Sequence, residues 1–281
     1  MTKRTLLAVY AHPDDELSAG GTLAHYARQG VSTHLICGTR GEVGEAPPDR
    51  KGFATIAEMR THELQCAAGV LGLESVTFLG YRDSGMPGSP DNNHPDALAA
   101  APTDEVARKI AAHIRRLKPQ VVITFDPIGG YRHPDHIAIH RATVEAFRMA
   151  GDSGLVIEDL EAYAPQKLYF STFPRGFMRL AVRLLKLIGR DPRHFGKNGD
   201  IDLESLAEVD FPIHAHISIS DVLEQKERAA ACHSSQLASM GGILARVFQR
   251  LMANAETFMR AVPSEPPPTI EKDLFQGVNF G

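Results

Sequence analysis

The sequence TLLAVYAHPDDE at residues 5–16 joins an apolar segment to a cluster of charged side chains. Residues 5–11 form a continuous apolar run of strand length, the pattern of a strand buried on both faces. The loop HPDDE follows at 12–16, and an amphipathic segment then extends to Gly30, which can end a helix. A buried strand, a polar loop and a helix in this order indicate a unit of a parallel α/β sheet.

The same alternation continues through the first half of the chain. Further strand patterns lie at 31–37, 76–79 and 120–125, and helical patterns lie at 54–71 and 103–118. This order predicts an α/β fold, a Rossmann-like and mostly parallel sheet flanked by helices. In such sheets ligands bind beyond the carboxyl ends of the strands.

The alternation weakens after residue 151. We expect a Rossmann-like catalytic core at 1–150 and a C-terminal α+β cap or lid at 151–281, integrated into one domain. The helix pattern around 176–190 is basic and amphipathic, and it favours a lid or oligomer helix over a membrane-surface helix. The remaining patterns indicate strands at 167–172 and 214–218 and helices at 221–237 and 243–261.

Composition limits the classes of function. The net charge of −4, with acidic and basic residues interleaved, argues against nucleic acid as a partner. No segment approaches the roughly 18–20 apolar residues of a membrane span. Cys37, Cys66 and Cys232 are far apart and form no CxxC pair, which predicts no disulfide framework and a cytoplasmic protein. We also expect a homo-oligomer.

Two histidine–aspartate segments carry the chemistry: HPDDE at 12–16 and YRHPDH at 131–136. One His-Pro-Asp segment alone is usually a turn or a helix cap. Two of them at carboxyl ends of predicted strands favour a metal site, because zinc takes imidazole nitrogen and carboxylate oxygen. His12, Asp15 and His136 can supply three ligands, which leaves Asp14 and His133 for proton transfer. Ferrous iron would suit the same ligands.

These segments also resemble a known family. AHPDDE at 11–16 together with GGYRHPDH at 129–136 is similar to the LmbE-like (PIG-L) zinc-dependent N-deacetylases, which include the deacetylases of mycothiol and bacillithiol biosynthesis. The resemblance covers roughly the first 150 residues, with a weaker echo in HSSQ at 233–236.

The resemblance implies a role for each matching residue. It implies metal ligation by His12, Asp15 and His136, and it makes Asp14 the general base. It implies that His133, oriented by Asp135, protonates the leaving amine or stabilises the oxyanion, and that Tyr131 helps to bind the scissile carbonyl. It further implies substrate contacts by Arg60, Asp83 and one of Glu42 or Glu45.

We therefore expect a metal-dependent hydrolase that removes the N-acetyl group from an N-acetylglucosaminyl small molecule. The GlcNAc-malate and GlcNAc-inositol types are the expected substrates, and the products are acetate and a primary amine. A zinc amidase acting on a larger N-acyl or thiol-conjugate substrate would share every residue named above. A nucleotide-binding protein is disfavoured, because the first loop contains carboxylates in place of GxGxxG. A non-catalytic metal-binding protein would not need Asp14 or His133.

Overall fold

The computed structural model of the protein describes residues 3–44, 47, 50–172, 175–194, 202–237 and 254–280. Within these ranges the strands are β1 (Thr5–Tyr10), β2 (Ser32–Cys37), β3 (Ser75–Phe78), β4 (Val121–Phe125), β5 (Lys167–Thr172), β6 (Ala215–Ser218) and β7 (Ala255–Val262). The α-helices are α1 (Gly20–Arg28), α2 (Ile56–Leu71), α3 (Thr103–Leu117), α4 (Gly129–Arg132), α5 (Pro134–Gly151), α6 (Arg175–Leu187), α7 (Leu203–Glu208), α8 (Leu223–Cys232) and α9 (Ser234–Leu237).

The described strands form one sheet in the order β3-β2-β1-β4-β5-β7-β6. Strands β1 to β5 are parallel, whereas β7 runs antiparallel to both β5 and β6. The prediction of a mostly parallel α/β sheet flanked by helices is confirmed. The second half of the chain adds three strands to this sheet. That residues 151–281 also form a cap or lid stays a prediction.

The central strands are apolar because both of their faces are covered. Every residue of β1, β2 and β4 is buried. Helices α3 and α5 pack against each other in one group, and α1, α2 and α8 pack together in another. Continuous apolar strands are the expected sequence pattern for a parallel sheet enclosed by helices.

The order of the strands reverses next to β1. Strands β2 and β3 extend the sheet on one side of β1, and β4 and β5 extend it on the other. The crevice outside the carboxyl ends of the strands at such a reversal is the usual ligand site of doubly wound sheets. The HPDDE loop leaves β1 and the YRHPDH loop leaves β4, so the topology brings the two segments together at this crevice.

One expectation about the second half needs correction. Residues 255–261 lie in a predicted helix but form β7, and residues 238–253 lie outside the described residues. The apolar stripe of helix α6 is partly exposed, and its role as a lid or oligomer helix stays a prediction. Leu180, Leu184, Leu187 and Ile188 are 50–80% exposed. No helix in the described ranges is long and apolar enough to cross a bilayer.

The cysteines also differ from the expectation. Cys66 in α2 and Cys232 at the end of α8 form a disulfide, with their Cα atoms 5.8 Å apart. The two cysteines are 166 residues apart, so no local pattern in the sequence indicates that they pair. The packing of α2 against α8 brings them together. Cys37 is free and buried at the end of β2. The cytoplasmic location stays a prediction.

This pairing predicts the number of reactive thiols. Protein unfolded in guanidinium without reductant should show one thiol per chain by Ellman titration, because Cys37 is the free cysteine. Prior reduction should raise the count to all three cysteines of the chain. A Cys37→Ala variant provides the control and should show no thiol before reduction. Three thiols in unreduced wild-type protein would contradict the disulfide.

Candidate active site

Two histidines and one aspartate converge at the carboxyl ends of β1 and β4. His12 and Asp15 follow β1, and His136 lies in the first turn of α5 after β4. His12 Nδ1 lies 3.2 Å from His136 Nε2 and 3.3 Å from Asp15 Oδ2. Asp15 Oδ1 lies 3.3 Å from His136 Nε2. Both imidazoles are almost completely buried, so the three side chains form a compact, enclosed triangle.

The surrounding hydrogen bonds indicate where each imidazole carries its proton. His136 Nδ1 lies 3.2 Å from the carbonyl oxygen of Gly129, which can only accept, so the neutral ring has its lone pair at Nε2. His12 Nε2 lies 3.0 Å from a carboxylate oxygen of Asp135, so the neutral ring of His12 has its lone pair at Nδ1. Two lone pairs and the Asp15 carboxylate therefore face one another. Histidines in metal sites are oriented by outer acceptors in the same way.

The spacing of these atoms suits a small divalent cation. Zinc binds nitrogen and oxygen ligands at about 2.0–2.2 Å in a tetrahedron, which separates neighbouring ligand atoms by roughly 3.3 Å. His12 Nδ1 and His136 Nε2 lie 3.2 Å apart, and each lies 3.3 Å from a different oxygen of the Asp15 carboxylate. Two overlapping groups also have ligand atoms within 4.8 Å of one another: His12, His133 and His136, and His12, Asp83, His133 and Asp135. The protein thus has a buried histidine–carboxylate cluster able to hold a metal ion.

Carboxylates dominate the surroundings of His12. Its Nε2 faces Asp135 and lies 3.5 Å from Asp83 Oδ1. Although desolvation lowers the pKa of His12, hydrogen bonds to Asp135, Asp15 and Asp83 raise it well above its ordinary value. An environment that favours a positively charged imidazole also favours a bound cation.

Asp135 orients a different ring from the one that the resemblance implies. The expected partner is His133, whereas the Asp135 carboxylate receives hydrogen bonds from His12 Nε2, from the Ser84 N–H at 2.9 Å and from the Ser84 hydroxyl. The backbone N–H of Asp135 donates to His133 Nδ1 at 3.2 Å and caps α5. The cap thus occupies His133 Nδ1, and the carboxylate of Asp135 points toward His12.

His133 and Tyr131 border the triangle. The rings of His133 and His12 lie 4.6 Å apart, and Tyr131 contacts His136 edge-on at 4.9 Å. Desolvation, together with the neighbouring His12 and His136, lowers the pKa of His133 far below its ordinary value. Since Nδ1 accepts the cap hydrogen bond, the neutral ring of His133 carries its proton on Nε2 and can donate it. Tyr131 is 38% exposed and is the more accessible of the two.

The loop after β4 positions these residues through its backbone. Asp126 Oδ1 accepts hydrogen bonds from the N–H groups of Ile128 and Gly130, each at 3.0 Å. Gly129 has a φ of +65°, and a Cβ there would lie 2.8 Å from the Cβ of His136. Glycine is therefore required where the loop passes over His136.

Asp14 lies beside the triangle in an unusual backbone conformation. Its φ of 110° and ψ of −21° place it in a region that few non-glycine residues adopt. Its Oδ1 lies 3.2 Å from Arg60 Nη2, which also donates to the Pro13 carbonyl at 2.6 Å. Desolvation raises the pKa of Asp14 to about 6 against the opposing charge of Arg60, and the adjacent Asp15 adds to the rise. A pKa near neutrality suits a general base.

The other expected substrate residues lie around the same crevice. Arg60 and Asp83 are buried, and the half-buried Glu42 accepts the Asp83 N–H at 3.0 Å through Oε2. Glu45 lies outside the described residues. Their contact with substrate stays a prediction.

Sequence reasoning assigned no role to Glu16 or Ser84. Glu16 is completely buried and lies 2.6 Å from the imidazole of His233 in the HSSQ segment. Its position as the last carboxylate of HPDDE was a usable signal. Ser84 bonds Asp135 across the crevice from the loop after β3, and no spacing in the sequence links these two residues.

Fold and site together define an α/β protein with a histidine–carboxylate cluster, able to hold a metal ion, at the reversal point of its sheet. The family GlcNAc-PI de-N-acetylase (PIG-L) matches residues 7–147. The chain is 37% identical over 292 residues to the 1D-myo-inositol 2-acetamido-2-deoxy-alpha-D-glucopyranoside deacetylase of Thermobifida fusca, covering 98% of this chain and 100% of the relative. The chain belongs to the PIG-L family.

Solved structures share the fold. A conserved protein of Thermus thermophilus has a TM-score of 0.63 at 27% identity, over 95% of this chain and 98% of its own. GalB, the 4-carboxy-2-hydroxymuconate hydratase of Pseudomonas putida, has a TM-score of 0.62 at 22% identity, over 94% of this chain and 98% of its own. At that identity the second likeness concerns the fold alone.

The geometry of the triangle predicts that His136 is needed for metal retention and that His140 is not. Loss of an outer hydrogen-bond partner of a metal ligand typically weakens metal affinity roughly 10–100-fold. Since His136 is proposed to bind the ion directly, His136→Ala should reduce bound metal by at least ~10-fold. The measurement is metal content by mass spectrometry after dialysis. His140→Ala is the matched control, because His140 lies one turn further along α5 and bonds the Phe125 carbonyl at 2.8 Å. Equal metal content in the two variants would remove His136 from the ligand set.

Proposed function

We propose that this protein is a zinc-dependent N-deacetylase of an N-acetylglucosaminyl small molecule, with the GlcNAc-inositol type as the first substrate. The observation that carries the proposal is the buried His12–Asp15–His136 triangle, whose nitrogen and carboxylate oxygen atoms lie 3.2–3.3 Å apart, a spacing that suits a small divalent cation. The 37% identical relative, which matches along its whole length, is named for this reaction. A larger N-acyl or thiol-conjugate substrate is not favoured by that likeness.

The metal would be held by His12, Asp15 and His136. Zinc suits two imidazoles and one carboxylate, and ferrous iron would suit them as well. A metal ion at such a site supplies Lewis-acid polarisation of the acetamide carbonyl and makes a water molecule easier to deprotonate.

Asp14 would act as the general base. Its carboxylate adjoins ligand Asp15 and is held by Arg60 at 3.2 Å. It takes a proton from the attacking water while the new C–O bond forms at the acetamide carbon. The pKa of about 6 leaves the Asp14 carboxylate mostly ionised at neutral pH. The neighbouring charge of Asp15 helps to raise this pKa and so favours uptake of the proton by Asp14.

His133 and Tyr131 would complete the hydrolysis. The Nε2–H of neutral His133 donates a hydrogen bond to the oxygen on which negative charge develops. The C–N bond then breaks, the departing nitrogen gains the proton that left the water, and acetate and a primary amine result. Tyr131 borders the same space at its open side and would help to orient the carbonyl.

The sugar would be recognised by the charged residues around the crevice. Arg60, Asp83 and Glu42 offer donors and acceptors to the hydroxyl groups of a glucosaminyl ring. Such polar recognition suits a small amino-sugar substrate in water. A homo-oligomer and a cytoplasmic location stay predictions.

The first experiment is an amine-release assay with zinc-loaded protein. GlcNAc-inositol should release a primary amine and acetate in equal amounts, and GlcNAc-malate should be a poorer substrate. Asp14→Asn should keep its zinc and lose roughly 10²–10⁴-fold in kcat, because general-base catalysis contributes about that much.

The outcomes separate the parts of the proposal. An active Asp14→Asn variant would remove Asp14 as the base. Wild-type protein that binds zinc and releases amine from neither conjugate would overturn the proposed substrate class.

His133 and Tyr131 can be compared directly. His133→Ala should lower kcat by roughly 10²–10³-fold, the usual loss for one oxyanion donor. Tyr131→Phe should cost less, because the tyrosine is 38% exposed and water can replace its hydroxyl. Steady-state kcat and KM on the same substrate provide the measurement. A larger loss for Tyr131→Phe would make Tyr131 the main donor.

A further inference from the structure

A buried glutamate–histidine pair lies immediately behind the proposed general base. Glu16 Oε1 lies 2.6 Å from His233 Nε2, and both residues are at most 1% exposed. Glu16 comes from the 3-10 turn Asp15–Ser18 after β1, whereas His233 directly follows α8 in the second half of the chain. Neither residue belongs to the groups whose ligand atoms could hold the metal. A buried charge-assisted hydrogen bond of this kind requires an explanation, because a carboxylate is costly to desolvate.

The second oxygen of Glu16 connects this pair to Asp14. Oε2 accepts the backbone N–H of Asp14 at 2.9 Å. Asp14 has a φ of 110°, which costs free energy for a residue with a Cβ and persists where surrounding contacts require it. The Glu16 carboxylate is the contact that receives the Asp14 N–H in this conformation. Its orientation therefore governs the direction in which the Asp14 side chain leaves the backbone.

His233 is itself held in place from α2. The adjacent Cys232 forms the disulfide with Cys66 of α2. One turn earlier in α2, Glu63 accepts the Ser235 N–H at 2.9 Å and the Ser235 hydroxyl at 2.6 Å. These anchors on both sides of His233 keep its imidazole pointing at Glu16. In the described part of the chain, His233 Nδ1 has no hydrogen-bond partner, so the contact to Glu16 is the polar contact of this ring.

We propose that His233 is a positioning residue for the reaction: acting through Glu16, it fixes the backbone conformation that aims the Asp14 carboxylate into the site. This inference rests on the proposed function, because it assigns His233 a part in placing the base of that reaction. Among the described residues, the hydrogen bond of the His233 ring goes to Glu16 and not to a member of the triangle. The effect of His233 on turnover passes through two hydrogen bonds, one from its own Nε2 and one from the Asp14 N–H.

Kinetics of His233 variants provide the first test. His233→Ala should lower kcat by roughly 10–100-fold, the usual effect of losing an outer-shell partner, with metal content unchanged. KM should stay within about twofold, because the substrate contacts are retained. His233→Gln should recover most of kcat, since its amide nitrogen can reach the position of Nε2 and donate to Glu16. His34→Ala is the matched control, a buried histidine on β2 that bonds Ser75 and should retain wild-type kcat.

Coupling between the two residues provides a second kinetic criterion. If His233 acts through Glu16, the losses in His233→Ala and Glu16→Gln should not add in the double variant. Fully additive losses would overturn the inference. The same conclusion would follow if His233→Ala lost no more kcat than His34→Ala, or if His233→Gln were as impaired as His233→Ala.

A crystal structure of His233→Ala tests the positioning without any substrate. We expect the Asp14 N–H to lose its bond to Glu16 and the φ of Asp14 to move away from 110°. An unchanged Asp14 in this variant would overturn the inference even if wild-type protein were active. Wild-type protein without amine release, combined with a displaced Asp14 in the variant, would instead count against the proposed function alone.

Discussion

Acidic side chains crowd the crevice between β1 and β4, where little water reaches them. Asp15, Asp83 and Asp135 all lie within 3.5 Å of a nitrogen of His12. Arg60 is the buried cation on the Asp14 side of the site, and desolvated negative charge is costly without a partner. A divalent ion in the triangle would balance this charge. The raised pKa of His12 has the same cause, because the surrounding carboxylates stabilise a positive charge on its imidazole.

The local roles of these residues and their chemical roles reinforce each other. His133 caps α5 through Nδ1, and this cap leaves the proton of the neutral ring on Nε2. The Nδ1–H of His136 donates a hydrogen bond to the Gly129 carbonyl oxygen, and this leaves the lone pair of Nε2 facing the triangle. The interpretation of His-Pro-Asp as a helix cap is therefore correct for the second segment, where His133 caps α5. The backbone contacts that build the turn also set the tautomers that the proposed metal binding and proton donation require.

The sequence predicts the sheet and the two histidine–aspartate segments at its strand ends well, because these depend on local patterns. Continuous apolar strands, a Gly-ended α2 and charged loops at strand ends are all visible without knowledge of distant contacts. Strand β7 is different. Its residues follow a helical apolar pattern, and pairing with β5 and β6 overrides that local preference. The pairs Cys66–Cys232, Glu16–His233 and Ser84–Asp135 likewise depend on tertiary packing between segments far apart in the chain.

The fold does not determine the reaction by itself, since a hydratase shares it at a TM-score of 0.62. The proposed chemistry depends on the loops at the carboxyl ends of β1 and β4, and the family match over 7–147 contains both of them. The likeness to the deacetylase of Thermobifida fusca nevertheless extends over 98% of the chain. A physical reason lies in the second half, which adds β5, β6 and β7 to the sheet and brings His233 to Glu16. The first half contains the proposed reactive groups, and the second half supplies the buried contact from His233 to Glu16, whose carboxylate also accepts the Asp14 N–H.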